Sequence, residues 1–166
     1  MVELIKQNFD ENCSTYLKFK NLLINLLGDN VFIEHIGSTA IPNMLVKNII
    51  DILIGANDNN DFENFSKILV NNGFFVGKNS TEIYNFFASK IEETKSGDVH
   101  IHLVINHTER FNDFLILKEY LLNNKKECVD YCNFKKYILS KTTDRTEYRR
   151  IKSEYVTNLL NRAKQN

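Results

Sequence analysis

Gly37, Ser38 and Thr39 follow a short apolar run, Val31 to Ile36, and Asp51 stands inside a second one, Ile49 to Ile54. A glycine at the end of a strand lets the backbone turn tightly and lets a ligand approach the chain closely. A helix starting just after it would turn free N–H groups towards phosphate, and the Ser38 and Thr39 hydroxyls add donors. Taken alone, Gly-Ser-Thr is also a plain turn with an N-cap. Asp51 makes it more than that. A carboxylate among Ile49, Ile50, Ile52, Leu53 and Ile54 is costly unless it is paired, bound to a metal or set at the edge of a cleft. The other reading is a buried acid that caps neighbouring backbone.

The histidines are His35, His100, His102 and His107. His100 and His102 alternate within a strand-like run, so their side chains share one face, and Asp98 has the same parity. His35 lies two residues before the Gly-Ser turn. Imidazoles and a carboxylate converging from neighbouring strands could bind zinc, manganese or another borderline metal. They could equally bind phosphate or act as acid and base near neutral pH. Histidines hydrogen-bonded on a half-buried sheet face are the plainer alternative. Lys118, Lys135 and Lys152 each fall on the apolar stripe of a helix. A lysine there either snorkels outward or points into a cleft. Three such lysines aimed at a sheet carrying Asp and His would make a polyanion pocket. Arg145, Arg149 and Arg150 are expected to face solvent.

Periodicity supplies the elements that position these groups. A helix is predicted from about Asp10 to Leu27, stopped by Gly28-Asp29-Asn30. Strands at Val31 to Ile36 and Ile49 to Ile54 are joined through Gly37 to Asn48 by a turn and a short helix. A helix at Asp61 to Asn71 precedes strands at Phe74 to Val76, Ile83 to Lys90 and Val99 to Ile105, with turn chemistry at Asn79-Ser80 and at Lys95 to Asp98. Three helical stripes follow, and Asp144 with Glu147 resembles a capping box. This order describes an α+β domain, a small mixed sheet with helices packed on it and a helical tail. One domain is expected over 1–166, with the core at about 1–108 and the tail at about 109–166.

The 21 Lys and Arg equal the 21 Asp and Glu, so no broad basic field advertises extended nucleic acid. No apolar run approaches the roughly 18 residues that span a bilayer, and the N-terminal residues lack the apolar stretch of a signal peptide. A cytoplasmic protein is expected. Cys13, Cys128 and Cys132 are an odd set of free thiols, with Cys128 and Cys132 packing as small apolar groups or, as the sharper alternative, forming a metal or redox pair. Oligomeric state is left open.

EHIGSTAIP, KNIIDIL, HIHLV and the tail segments FLILKEYLLNN, CVDYCNFKKYIL and DRTEYRRIKSEYV together resemble the GrpB family, a branch of the nucleotidyltransferase-like superfamily. The family pattern usually has Pro where Asn48 stands, Gly where Asn43 stands and Arg-Asp where Lys118-Glu119 stand, and it carries an early tryptophan absent here. The resemblance implies a nucleotidyltransferase-like core. Active members of the superfamily hold two divalent ions on paired acids plus a third acid on a later strand. Here Leu53 takes the second position, and the third, if it maps to the His-x-His strand, is imidazole rather than carboxylate. The first reading is therefore a metal-assisted nucleotidyltransferase-like enzyme acting on a small phosphorylated or nucleotide substrate. It would use Mg, Mn or Zn and a nucleoside triphosphate. Asp51, His100 and His102 carry the chemistry. His35 joins them as a metal ligand, and Gly37, Ser38, Thr39, Lys47, Lys135 and Lys152 hold phosphate. The second reading is a non-catalytic nucleotide- or phosphate-binding or regulatory module. A third is a protein-contact role through a patch at Phe74, Phe75, Phe86 and Phe87.

Overall fold

Alternation along two aliphatic strands gives the sheet one apolar face and one that carries the ionisable groups. The computed structural model of the chain describes residues 3–77, 80–89 and 99–165. In chain order the elements are β1 (Ile5–Lys6), α1 (Phe9–Leu27), β2 (Phe32–Ile36), a 3₁₀ turn (Ser38–Ala40), β3 (Leu45–Val46), β4 (Ile50–Ala56), α2 (Asn59–Asn71), β5 (Phe74–Val76), β6 (Tyr84–Ser89), β7 (Val99–Ile105), α3 (Glu109–Asn123), α4 (Lys125–Lys141) and α5 (Arg145–Ala163). The main sheet has the order β2-β4-β7-β6-β5, with β4 and β7 parallel and the other pairs antiparallel. The α+β expectation holds.

Even-numbered β4 residues Ile50, Ile52 and Ile54 pack with Val99, Ile101 and Leu103 of β7 beneath α1 and α2, in a core that includes Leu23, Phe62, Phe65, Leu69 and Phe87. Full burial of one such aliphatic side chain stabilises by roughly 1.5–3 kcal/mol. The odd-numbered face holds Asp51 and Leu53, and its inner part packs Ile36, Leu53, Tyr84, Val104 and Phe111 under α3. The tail closes over the same side through Ile41, Met44, Val46, Leu121, Tyr131 and Leu159.

Helix starts follow side-chain capping. Asp58, Thr108 and Asp144 accept from the backbone N–H groups of Asp61, Phe111 and Glu147. The Glu147 carboxylate turns to Arg150 rather than back to Asp144, so only half of the expected capping box forms. The β1–β3 pair was not expected, because two residues are too few for alternation to register. The turns placed at Asn79 and at Lys95 to Asp98, and the strand end at Lys90, lie outside the described residues. Phe74 and Phe87 are buried, Phe86 packs edge-on to His100, and only Phe75 is exposed, so the four phenylalanines form no common patch.

Asn43 and Asn48 have left-handed backbones, with φ of 64° and 58°. Asparagine tolerates this region better than other non-glycine residues, which accounts for Asn43 where the family pattern has Gly. Proline, with φ fixed near −65°, cannot take the Asn48 conformation. A chain with Lys-Pro there must enter β4 by another path. Asn48→Gly is expected to change stability by less than about 1 kcal/mol, and Asn48→Pro to cost about 2 kcal/mol or more, read by urea unfolding.

Candidate functional site

Register decides which groups meet. Asp51 lies opposite His100, and Leu53 opposite His102, across the parallel β4–β7 pair. Opposed residues share a face, so both imidazoles stand on the Asp51 side. Nδ1 of His100 is 3.3 Å and Nε2 of His102 is 3.5 Å from Oδ1 of Asp51. Burial works to raise the Asp51 carboxyl, but the hydrogen bonds and charge of His100 and His102 outweigh it. They hold the group well below the usual carboxylate range. His102 is fixed from behind, its Nδ1 2.9 Å from the Tyr84 hydroxyl, and the Arg110 guanidinium lies 3.9 Å from the Tyr84 ring centre.

β2 runs antiparallel to β4, so its end and the Gly37 turn arrive at the same edge. Gly37 has φ of 72°, and a Cβ there would sit 2.3 Å from Oδ2 of Asp51. The glycine is therefore needed both for its backbone and for the space the carboxylate occupies. The element after it is a three-residue 3₁₀ turn, too short to supply the helix terminus expected for phosphate. Ser38 is engaged instead by Lys135, whose Nζ lies 3.2 Å from its Oγ.

His35 is a correction. It lies opposite Ile52, on the other face of the sheet, and is 6% exposed. Its ring stacks on Tyr16 at 4.7 Å, and its Nε2 is 3.0 Å from Oγ1 of Thr39. Thr39 spends its own proton on the carbonyl of Ile49, so the network assigns the His35 nitrogen as donor. Burial, followed by the charge of Lys118, pushes His35 down to about 4, and it stays neutral. His35 and the Thr39 hydroxyl pin the turn, and His35 is not among the residues that line the cavity beside Asp51, whereas Thr39 is. His107, with φ of 63°, lies beyond β7, near Phe111.

A cavity of about 400 Å³ opens beside Asp51, and Lys47, Lys135, Arg145, Arg149 and Lys152 all line it, with Asp51 the one carboxylate among the described residues that line it. Lys135 is 3% exposed, donates to Ser38 and to the carbonyl of Leu45, and lies 4.6 Å from the Tyr131 ring centre. Burial, partly offset by Cys132, brings it down to about 8. Burial, with repulsion from Lys152, Arg145 and Arg149, also brings Lys47 down to about 8. Lys47 stands 4.2 Å from the Tyr148 ring centre, and the buried Tyr148 hydroxyl has no hydrogen-bond partner among the described residues. Of the three stripe lysines, Lys118 is instead neutralised by Glu34.

Arg145 and Arg149 were expected to face solvent. They are exposed but border the cavity, and only Arg150 is occupied outside it, with Glu147 and Glu154. Tyr84, Tyr148, Arg145 and Arg149 are site residues the sequence reading missed. Positions 145, 149 and 152 follow i, i+4, i+7 spacing, so a shared helix face was available as a signal. Cys128 donates to the carbonyl of Leu121, and Cys132 accepts from Leu45 N–H and lies 3.7 Å from the Met44 sulfur. Both thiols are packed within the tail.

A pair of magnesium ions does not fit these residues. Leu53, at the second acid position, is fully buried against Ile36 and Val104. Both imidazoles are spent on one oxygen of Asp51, and magnesium prefers oxygen donors. Among the described residues no group of three or more His, Cys, Asp or Glu side chains stands in metal-ligand geometry.

The family described as GrpB protein matches residues 5–162. The chain belongs to the GrpB family. A UPF0157 protein of Vibrio cholerae serotype O1 is 30% identical over 93% of this chain and 79% of its own length. A UPF0157 protein of Streptomyces coelicolor is 26% identical over 64% of this chain, a match that spans only 54% of that relative. The crystal structure of conserved protein GrpB from Enterococcus faecalis superposes with a TM-score of 0.80, covering 98% of this chain and 96% of that one at 21% identity. The GrpB fold is thus common to both chains. A poly(U) polymerase with MgGTP bound covers 72% of this chain at a TM-score of 0.47, a likeness too partial to speak to chemistry.

The contact between Gly37 and Asp51 is the most constrained in the site. Gly37→Ala is expected to cost at least about 2 kcal/mol in urea unfolding, because both the positive φ and the Cβ clash oppose it.

Proposed function

We propose that this GrpB protein binds a small phosphorylated ligand, such as a nucleotide, through its polyphosphate in the cationic cavity. The observation that carries the reading is the gathering of Lys47, Lys135, Arg145, Arg149 and Lys152 about Asp51. Burial and the charges of Lys152, Arg145 and Arg149 depress Lys47, and a bound polyanion would relieve that repulsion.

A second reading adds transfer chemistry, favoured by the Asp51 group with its two imidazoles. An acceptor hydroxyl beside it would lose its proton to the Asp51–histidine group as its oxygen bonds to phosphorus and the bridging P–O bond of the polyphosphate breaks. The departing phosphate would take the electron pair of that bond, its negative charge held against the lysines and arginines. Nothing in this scheme needs the paired acids of the superfamily.

Tripolyphosphate and ATP are expected to bind without added metal in calorimetric titration. Lys152→Ala should weaken both by about ten-fold or more. Asp51→Asn removes a charge that repels phosphate, so binding should persist or tighten. No binding in the wild type would sink the reading. Binding that requires Mg²⁺ and disappears in Asp51→Asn would restore the metal-based alternative.

The pH dependence has a definite sign. A bound anion favours protonated Lys47 and Lys135, whose free-state values are about 8. Phosphate esters lose their second proton near pH 6, so ATP changes little above neutrality. Affinity should be full below pH 8 and fall as pH rises to 9.5, with proton uptake on binding near pH 8. A flat profile between pH 7 and 9.5 would remove these two lysines from the ligand contacts.

A further inference from the structure

The cationic cavity adjoins a second chamber of about 520 Å³ between α3 and α5, and the two share Ser38, Asp51, His102, Tyr131, Lys152 and Ser153. The second chamber differs in kind. Ile41, Leu117, Leu121, Val156 and Leu160 give it aliphatic walls. Its aromatic rings already have partners, Phe114 lying 4.9 Å from His102 and Tyr131 5.4 Å from Tyr155. Its charged groups do too. Asp113 pairs with Lys164, Lys118 with Glu34, and Arg110 lies over Tyr84. A ligand that runs from the phosphate cavity past Ser38 and Asp51 therefore meets the aliphatic side chains of Ile41, Leu117, Leu121, Val156 and Leu160.

We propose that the ligand is a phosphorylated molecule with an uncharged aliphatic body, its phosphates among Lys47, Lys135 and Lys152 and its body lodged between α3 and α5. The inference rests on the phosphate-binding reading and narrows its substrate class. Aliphatic walls reward methylene groups by removing them from water, and they give a nucleobase neither stacking nor hydrogen-bond partners. A chamber of this size lies within the ordinary range for small-ligand sites, roughly 300–1,000 Å³.

Calorimetric titration with inorganic pyrophosphate, butyl diphosphate, hexyl diphosphate and adenosine diphosphate tests it. Affinity is expected to rise about three- to four-fold per added methylene from butyl to hexyl. Hexyl diphosphate should bind more tightly than adenosine diphosphate. Val156→Phe narrows the chamber, and Thr157→Trp obstructs its exposed rim without touching the core. Each should abolish the alkyl gain while pyrophosphate binds as in the wild type, which also reports that the variant is folded. The proposal is overturned if hexyl diphosphate binds no better than pyrophosphate, if the alkyl gain survives both variants, or if adenosine diphosphate is the tighter ligand. Failure of pyrophosphate itself would instead remove the phosphate site on which the proposal stands.

Discussion

The carboxylate of Asp51 is the constraint around which this protein is arranged. It sits in a strand whose other side chains are aliphatic, where an unpaired charge would cost several kcal/mol. The chain meets that cost in three ways at once. Strand parity turns Asp51 away from the α1–α2 core. The parallel neighbour β7 brings His100 and His102 to the same oxygen. The antiparallel neighbour β2 ends in Gly37, which has no side chain to collide with the carboxylate. Moving the register of either neighbour by one residue would undo the arrangement, because side chains switch faces with every residue.

Much of this was legible in the sequence, and the reason is periodicity. Asp51, His100 and His102 share a face by the two-residue repeat of strands, and the parallel register of β4 with β7 makes that face common. His35 fails by the same rule. Its nearness to Gly37 in sequence suggested a ligand, yet it stands opposite Ile52, on the core side. Sequence distance and strand parity disagreed, and parity decided. The Gly-Ser turn departs from the helix terminus expected after it. The helix is too short to orient an anion, while Ser38 is gripped by Lys135 from the distant helix α4. That contact is tertiary, and no local pattern announces it. Arg145 and Arg149 are exposed as expected and still border the cavity, because exposure and cavity lining are compatible for long side chains.

The departures from the family pattern are also intelligible one at a time. Asn43 occupies a left-handed position that suits glycine or asparagine. Lys118 keeps a cation on Glu34, as an arginine there would, although without the planar fork. Asn48 differs from these two, since its backbone excludes proline. It lies next to Lys47, so the local path that replaces proline also sets where that lysine enters the cavity. The change is therefore one of site geometry, beyond surface drift.

Leu53 and the His-x-His strand alter the electrostatics more deeply than any of these. In the superfamily that the sequence resembles, three acids hold two divalent ions, and the ions face the phosphates. Here the second of those positions is Leu53, a buried aliphatic side chain that cannot hold such an ion. Among the described residues the cavity has Asp51 as its carboxylate and several side-chain cations. Burial lowers Lys47, and repulsion from Lys152, Arg145 and Arg149 lowers it further. A polyanion is the complement such a cavity lacks. On this reading Lys47, Lys135 and Lys152 take the electrostatic part that metal ions play elsewhere.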